Sequence, residues 1–398
     1  MAKRPLMLAV DVGTTKVSAL VGETHQDGEV TVLGIAATPV VGMRRGLVFE
    51  VERVAVAIRD AVNRANSMAG TELSQAILAV NGDHLTVIPG QARFDLKHGT
   101  VRAEDVAHAT QKAAQIPAQS GRETVQVIRR GLAVDGFRGV VDPVGMVAQR
   151  MEAEVFVVTG ATTVIRNLRR VASMAGLNPL ALIPAPQASA DAVLADDEKQ
   201  IGVVHIDIGG GTTGITVYRG GHLQYLGVVP LGGESITSDL SVGLGVVITQ
   251  AERLKLEYAG VGAEREGMLE VRAVSGQSVK EIPVQELEDI VQARVDEWVG
   301  MVEAHLTRVD WPKGPGAGVV MTGGGSLLKG LKSYIEGRWT WPVRLGVPIG
   351  MTGLSDLSRS PGYAVVVGVA RHARDYSIRP ENDSGWRRVA QLWLSLWN

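Results

Sequence analysis

Cysteine is absent from all 398 residues. That excludes disulfides, zinc fingers and thiol catalysis together, and it suits a reducing compartment. An excess of one charge is missing as well, because 40 Lys and Arg against 42 Asp and Glu leave a net charge of -2. No bulk electrostatic case for a nucleic-acid partner follows from that balance. Nor does any uninterrupted apolar stretch reach the ~18 residues that a membrane-spanning helix needs. The N-terminus starts as a secretory signal would, with Lys3 and Arg4 before an apolar run, but Asp11 cuts the run and no small-residue cleavage site follows. The body is expected to be soluble and not exported. What is present reads as globular: 45% hydrophobic and 21% charged residues, and a length that predicts two to three domains at ~150 residues each. The 48 glycines exceed an average usage of ~7% and point to many turns or close backbone approaches.

Two segments resemble each other: LAVDVGTTKVSALVG from Leu8 to Gly22 and VHIDIGGGTTGITVY from Val204 to Tyr218. Each reads as an apolar strand ending in Asp, a glycine turn followed by two threonines, and a second strand, which together make a hairpin. Asp11 and Asp207 lie 196 residues apart, close to half the chain, so two similar α/β halves are expected, each opening with a hairpin whose turn faces the other half. One such turn alone is equally an ordinary tight hairpin with no ligand; two copies half a chain apart point to shared chemistry. Gly13, Gly209, Gly210 and Gly211 let backbone N–H groups approach an anion, and Thr14, Thr15, Thr212 and Thr213 add hydroxyl donors. This is phosphate-cradle chemistry without the Walker or Rossmann spacing. Lys16 offers a point charge to a phosphate, and Asp11 with Asp207 could hold a hydrated Mg²⁺.

A third glycine cluster, VVMTGGGSLLKGL from Val319 to Leu331, follows a buried-looking strand and is expected to lead into a helix, whose N-terminus suits a phosphate or nucleoside. Between the clusters, TQAERLKLEYAG reads as a helix with Glu252 and Lys255 at i and i+3; by itself that pair is a surface ion pair worth ~0.2 to 0.5 kcal/mol.

The order of two DxG turns, an AExxK helix and a TGGGS turn resembles the actin, sugar-kinase and heat-shock-chaperone ATPase superfamily. Within it, VDPVGM at Val141 to Met146, ADDEKQIGVVHIDIGGGTT, VPLGGESITSDL and GLSDLSRSPGYAVVVGVA resemble the bacterial cell division family FtsA, over about residues 5 to 375. The resemblance implies an α/β fold of two actin-like, ribonuclease H-like halves around a nucleotide cleft. It implies the first half at 5–83 and 159–200, an inserted α+β subdomain at 84–158, and the second half at 201–230 and 307–377, with a small subdomain at 231–306. It further implies ATP with Mg²⁺ as ligands. Gly232 and Gly233 would join the two phosphate turns, Glu252 and Lys255 would contact ribose and adenine, and Gly323, Gly324, Gly325 and Ser326 the adenosine side. The insert would serve self-association into polymers and contacts with later division proteins. The small subdomain would receive the C-terminal tail of FtsZ, with Arg294 at the position of a family arginine; Arg pairs bidentately with carboxylates, though a solvated helix face explains Arg294 equally. In IPAPQASADAVL, Ala185 stands where bacterial actins tend to place a carboxylate, and Gln187 two residues on could orient an attacking water or face the core. ATP binding with slow or negligible turnover is the expectation.

The chain ends in a polar linker at 378–385 and then WRRVAQLWLSLWN at 386–398, which holds three of the seven tryptophans. At 100° per residue, Trp386, Val389, Ala390, Leu392, Trp393, Leu394, Leu396 and Trp397 share one arc. Arg387 and Arg388 lie opposite, toward anionic lipid. At ~20 Å such a helix is too short to cross a ~30 Å hydrocarbon core, but it can lie in the interface or dock on protein. The family's membrane-targeting helix occupies this place, which implies a location on the cytoplasmic face of the plasma membrane at the division septum. Two other readings stand beside this one: an adaptor like the pilus-assembly protein PilM, and a phosphotransferase of the same superfamily.

Overall fold

The computed structural model describes residues 6–373, apart from 26–28, 118, 263–265, 275–278, 312–313, 355 and 357–358. The Trp-rich helix expected at 386–398 lies outside the described residues. Among those that are described, no helix is long and apolar enough to cross a membrane.

The chain opens with the meander β1 (Leu6–Val12), β2 (Lys16–Thr24) and β3 (Val30–Pro39). A short hairpin, β4 (Met43–Arg44) and β5 (Leu47–Val48), leads to α1 (Val51–Ala69) and β6 (Gln75–Val80). An insert follows, comprising β7 (Thr86–Asp95), α2 (Ala103–Ala113), β8 (Arg122–Val134), β9 (Phe137–Arg138) and β10 (Arg150–Ala161). Next come α3 (Thr162–Met174), β11 (Asn178–Pro184), α4 (Ala185–Val193) and α5 (Asp196–Ile201). A second meander, β12 (Val203–Ile208), β13 (Thr213–Arg219) and β14 (His222–Val229), precedes α6 (Gly233–Leu244) and α7 (Ile248–Tyr258). The hairpin β15 (Met268–Arg272) and β16 (Val279–Pro283) and the long α8 (Val284–Leu306) complete a small subdomain. The remaining elements are β17 (Val319–Thr322), a 3-10 turn (Gly324–Leu327), α9 (Leu331–Trp339), β18 (Val343–Leu345), β19 (Met351–Gly353) and α10 (Ala364–His372).

The two large sheets repeat one topology. In the first the order is β11-β6-β1-β2-β3, with β19 added at the edge; in the second it is β14-β13-β12-β17-β18. In each, an antiparallel meander lies beside two parallel strands reached through helical crossovers, as parallel pairing requires. All six residues of β12 are buried, as expected for a strand covered on both faces. The similarity of the two hairpin sequences is thus a similarity of two whole α/β halves.

The insert forms its own four-stranded sheet, β7-β10-β8-β9, with α2 laid on one face over Leu132, Met151, Val155 and Val157. It also touches the second half. Arg130 of β8 donates to the Leu223 carbonyl at 3.2 Å and to Gln224 Oε1 at 2.8 Å, while stacking 4.3 Å over the Phe156 ring.

One expected boundary moves. Residues 351–373, placed with the second half above, lie on the first: β19 pairs parallel with Val30–Val32, and α10 packs on α4. The cause is the small-residue surface of α4, where Ala188 and Ala190 are fully buried and let α10 approach until a Cβ on Gly368 would overlap the Ala188 carbonyl. An apolar pattern marks α10 as buried without saying which half covers it. The third glycine cluster also differs in detail: Gly324–Leu327 form a single 3-10 turn, and the α-helix starts only at Leu331.

Candidate nucleotide site

The turns of the two long hairpins meet tip to tip between the halves. Gly13 N–H donates to the Lys16 carbonyl at 3.0 Å and Gly209 N–H to the Thr212 carbonyl at 2.9 Å, so each turn is closed on itself. A Cβ on Gly210 would stand 2.5 Å from Thr15 Cγ2, and one on Gly211 would stand 2.7 Å from Thr14 Oγ1. The start of α6 docks against the second turn: Gly233 N–H donates to the Gly209 carbonyl at 3.0 Å and Glu234 N–H to the Gly210 carbonyl at 2.8 Å. Gly232 is needed for that approach, since its Cβ would lie 2.5 Å from both carbonyl oxygens.

These turns form the middle of a cavity of roughly 390 Å³, large enough for a small-molecule ligand. Its walls bring together Asp11, Gly13, Thr14, Thr15, Lys16, Asp207, Gly209, Gly210, Thr212, Gly232, Gly233, Glu252, Lys255 and Gly323 to Gly325. Those residues come from five segments spread over more than 300 positions, and only the tertiary fold collects them.

Asp11 and Asp207 are the buried charges of the site. Burial pushes the Asp11 carboxyl up to about 6 against the opposing pull of Lys16. Burial first, and the neighbouring Asp11 second, push Asp207 up to about 7. Two carboxylates short of compensating charge suit a hydrated divalent cation; among the described residues no group of three or more His, Cys, Asp and Glu gathers as a direct cage. Burial also lowers the Lys16 pKa, and its ammonium lies 4.2 Å above the Tyr363 ring. At the other end, Lys255 Nζ lies 2.7 Å from Glu252 and donates to Thr237 Oγ1 at 2.8 Å and to the Gly233 carbonyl at 3.2 Å. The pair is therefore held by the start of α6 and is more than a surface ion pair.

Several expected site residues do structural work instead. Thr213 Oγ1 accepts from Trp298 Nε1 at 2.8 Å and donates to the Leu231 carbonyl at 2.9 Å, which ties β13 to α8 and keeps it off the cavity wall. Ser326 is buried and donates to the Gly323 carbonyl at 2.7 Å. Gly211 packs against Thr14. Gln187 is not among the residues that line the cavity; it is buried in the first turn of α4, where its Oε1 has no hydrogen-bond partner among the described residues. Arg294 is in the cavity wall, not on an open docking face, and it is paired with Asp239 at 2.8 Å and with Glu297, which fastens α8 to α6. Asn81, Gly46, Leu328, Lys329, Pro361 and Gly362 also line the cavity, although none of them was among the expected site residues. They sit outside the repeated motif, so only their placement reveals them.

A duplicated sheet with facing glycine turns, an α+β insert in the first half and a cavity between the halves define a protein of the actin-like fold. Comparison with known proteins agrees. The cell division protein FtsA family model matches residues 204–368, and the model of the SHS2 domain inserted in FtsA matches residues 82–159. The cell division protein FtsA of Neisseria meningitidis serogroup B is 34% identical over 368 residues, 92% of this chain and 89% of the relative. That of Escherichia coli K12 is 30% identical over 407 residues, 99% of this chain and 97% of the relative. The chain belongs to the cell division protein FtsA family. Among solved structures, the PilM-PilN type IV pilus biogenesis complex matches with a TM-score of 0.67 at 17% identity over 94% of this chain and 99% of that one. MreB5 of Spiroplasma citri bound to ADP matches with 0.58 at 14% over 95% and 99%. Those two likenesses are of fold.

Proposed function

We propose that this cavity binds ATP with Mg²⁺, and that the chain polymerises and ties FtsZ filaments to the cytoplasmic face of the plasma membrane at the septum. The observation that carries the nucleotide reading is the meeting of two glycine turns from two duplicated halves, each preceded by a buried aspartate. Gly13 to Lys16 and Gly209 to Thr212 would hold the phosphates, Glu252 and Lys255 the ribose and adenine, and Gly323 to Gly325 the adenosine side. Asp11 and Asp207 would hold Mg²⁺ through its waters. Mg²⁺ would neutralise phosphate charge; this chain's own residues supply donors, orientation and exclusion of water. Turnover would be slow, because Gln187 is away from the cavity.

The carboxylate pair makes nucleotide affinity pH-dependent. Both folded-state pKa values are raised, so at pH 6 a large share of the pair is protonated and cannot attract a cation, whereas at pH 8 it is ionised. Titration of Mg²⁺-ATP at the two pH values is expected to show weaker binding at pH 6, with protons released on binding. Affinity that is flat across this range would remove the carboxylates from the site.

The anchor is proposed to be residues 386–398, with the tryptophans at headgroup level and Arg387 and Arg388 toward anionic lipid. A single short helix binds weakly, so stable attachment would come from several anchors in one polymer. Co-sedimentation with anionic liposomes and ATP tests this on the full chain beside a version ending at Gly385. Only the full chain should pellet with lipid; equal pelleting of both, or of neither, would overturn the anchor. The insert would carry contacts with later division proteins and neighbouring protomers. The small subdomain would receive the FtsZ tail, with Arg294 available to it only by giving up Asp239 or Glu297.

A further inference from the structure

The duplicated sheets give each strand that ends at the cleft a counterpart in the other half. β6 stands beside β1 as β17 stands beside β12, and both are parallel to their neighbour. The carboxyl ends of such parallel strands are where ligands collect in α/β folds. After β17 comes the Gly323–Gly325 turn, at the adenosine side of the proposed site. Its counterpart after β6 is Asn81, which lines the same cavity. The two phosphate turns stand between these positions, so a nucleotide whose base lies on the β17 side extends its phosphate chain toward β6.

Asn81 is prepared for that end. Its Oδ1 accepts from Gly82 N–H at 2.9 Å, which turns Nδ2 toward the opposite half, where it donates to Thr212 Oγ1 at 2.9 Å. An amide nitrogen carries two hydrogens, and the second has no acceptor among the described residues. The backbone behind it is packed tightly: a Cβ on Gly46 would stand 2.8 Å from the Asn81 carbonyl, and Gly46 N–H donates to Thr14 Oγ1 at 3.3 Å. Asn81 and Gly46 thus address the two threonine hydroxyls that tip the phosphate turns, one on each half.

We propose that Asn81 reads the terminal phosphate of a bound nucleoside triphosphate and so lets the site distinguish a triphosphate from a diphosphate. This rests on the nucleotide reading above. The amide would give its second hydrogen to the terminal phosphate while keeping Thr212, joining the halves more firmly around a triphosphate than around a diphosphate. A hydrogen bond to a charged acceptor is worth ~1.5 to 3 kcal/mol, which corresponds to about tenfold or more in affinity.

Calorimetric titration of the full chain with Mg²⁺-AMPPNP and with Mg²⁺-ADP, for the wild type, Asn81→Ala and Asn81→Ser, tests this. The expected result is that Asn81→Ala binds AMPPNP about tenfold or more weakly while its ADP affinity changes by less than about threefold, which also shows that the variant is folded. Asn81→Ser keeps a shorter donor and should fall between; it takes over the test if the alanine variant does not fold. Equal weakening of both nucleotides, or of neither, overturns the inference and leaves the nucleotide site standing. A wild-type chain that binds neither nucleotide overturns the site itself, and the role of Asn81 with it.

Discussion

Replacing Gly210 by Asp is expected to abolish measurable nucleotide binding while leaving the chain folded. Gly210 sits in the second glycine turn with its backbone outside the left-handed region, so a side chain there is not strained by φ. The conflict is local: the new Cβ would stand 2.5 Å from Thr15 Cγ2, which must rotate away. The carboxylate then occupies space where the first turn and a phosphate approach. A like charge at ~4 Å costs about 4 kcal/mol per unit charge at an effective dielectric of ~20, and a phosphate chain carries more than one. Affinity should fall at least about a thousandfold. Gly210→Ala separates the two causes, because it keeps the crowding of Thr15 without the charge and should lose no more than about tenfold. Titration with a fluorescent ATP analogue, with circular dichroism as the fold check, reads both. Unchanged affinity in the aspartate variant would remove the phosphate-cradle argument.

The largest stability effect is expected at Asp191, on the side of α4 away from the turns. Its carboxylate lies 2.7 Å from Lys199 of α5 and 3.0 Å from His372 of α10, and Tyr218 of β13 in the second half reaches it at 3.5 Å. Its backbone carbonyl accepts from Arg371. Although burial raises its pKa, Lys199 and the bond from His372 outweigh that and hold the carboxyl well below the ordinary carboxylate value. Asp191→Ala would strand the Lys199 ammonium, which is 16% exposed, without its partner. Removing one member of a buried pair costs ~3 to 5 kcal/mol; with the aspartate side chain 21% exposed, about 3 kcal/mol is expected. Because the folded pKa is depressed, this contribution is fully present above the unfolded value near 4 and disappears as the pH falls through the folded one. Thermal melting at pH 7.5 should therefore separate the variant from the wild type by several degrees, and the gap should narrow below pH 4. A gap that persists undiminished in acid would place the effect in packing and not in charge.

Asp191 also shows what could not be read in advance. Nothing in ASADAVLADDEKQ distinguishes it from Asp196 or Asp197, and its partners come from sequence positions up to 181 residues away. The two facing glycine turns were legible because their pattern is local: glycines and threonines preceded by an apolar strand and an aspartate, written twice. Glu252 and Lys255 were legible as a pair, while the Gly233 carbonyl and Thr237 that hold them were not. Thr213 looked like a ligand because it stands in the motif. Its alternation along β13 turns it to Trp298, away from the cavity.

Arg294 and Gln187 were read from the family resemblance, and only side-chain packing shows that Arg294 is paired with Asp239 and Glu297 and that Gln187 is buried off the cavity wall. The same holds for residues 351–373, whose apolar pattern required burial but allowed either half to provide it. The sequence by itself determined the glycine turns with their aspartates and the amphipathic pattern of the tail, because each rests on spacing within one short segment; the two-fold repeat was legible because the same short pattern is written twice, and the insert came with the family resemblance. Tertiary structure alone decided which half α10 covers, that Arg294 is already paired, and that Asn81 lines the cavity and bonds to Thr212 of the other half. Those facts depend on long-range packing and on charges meeting from distant segments, for which a linear pattern carries no signal.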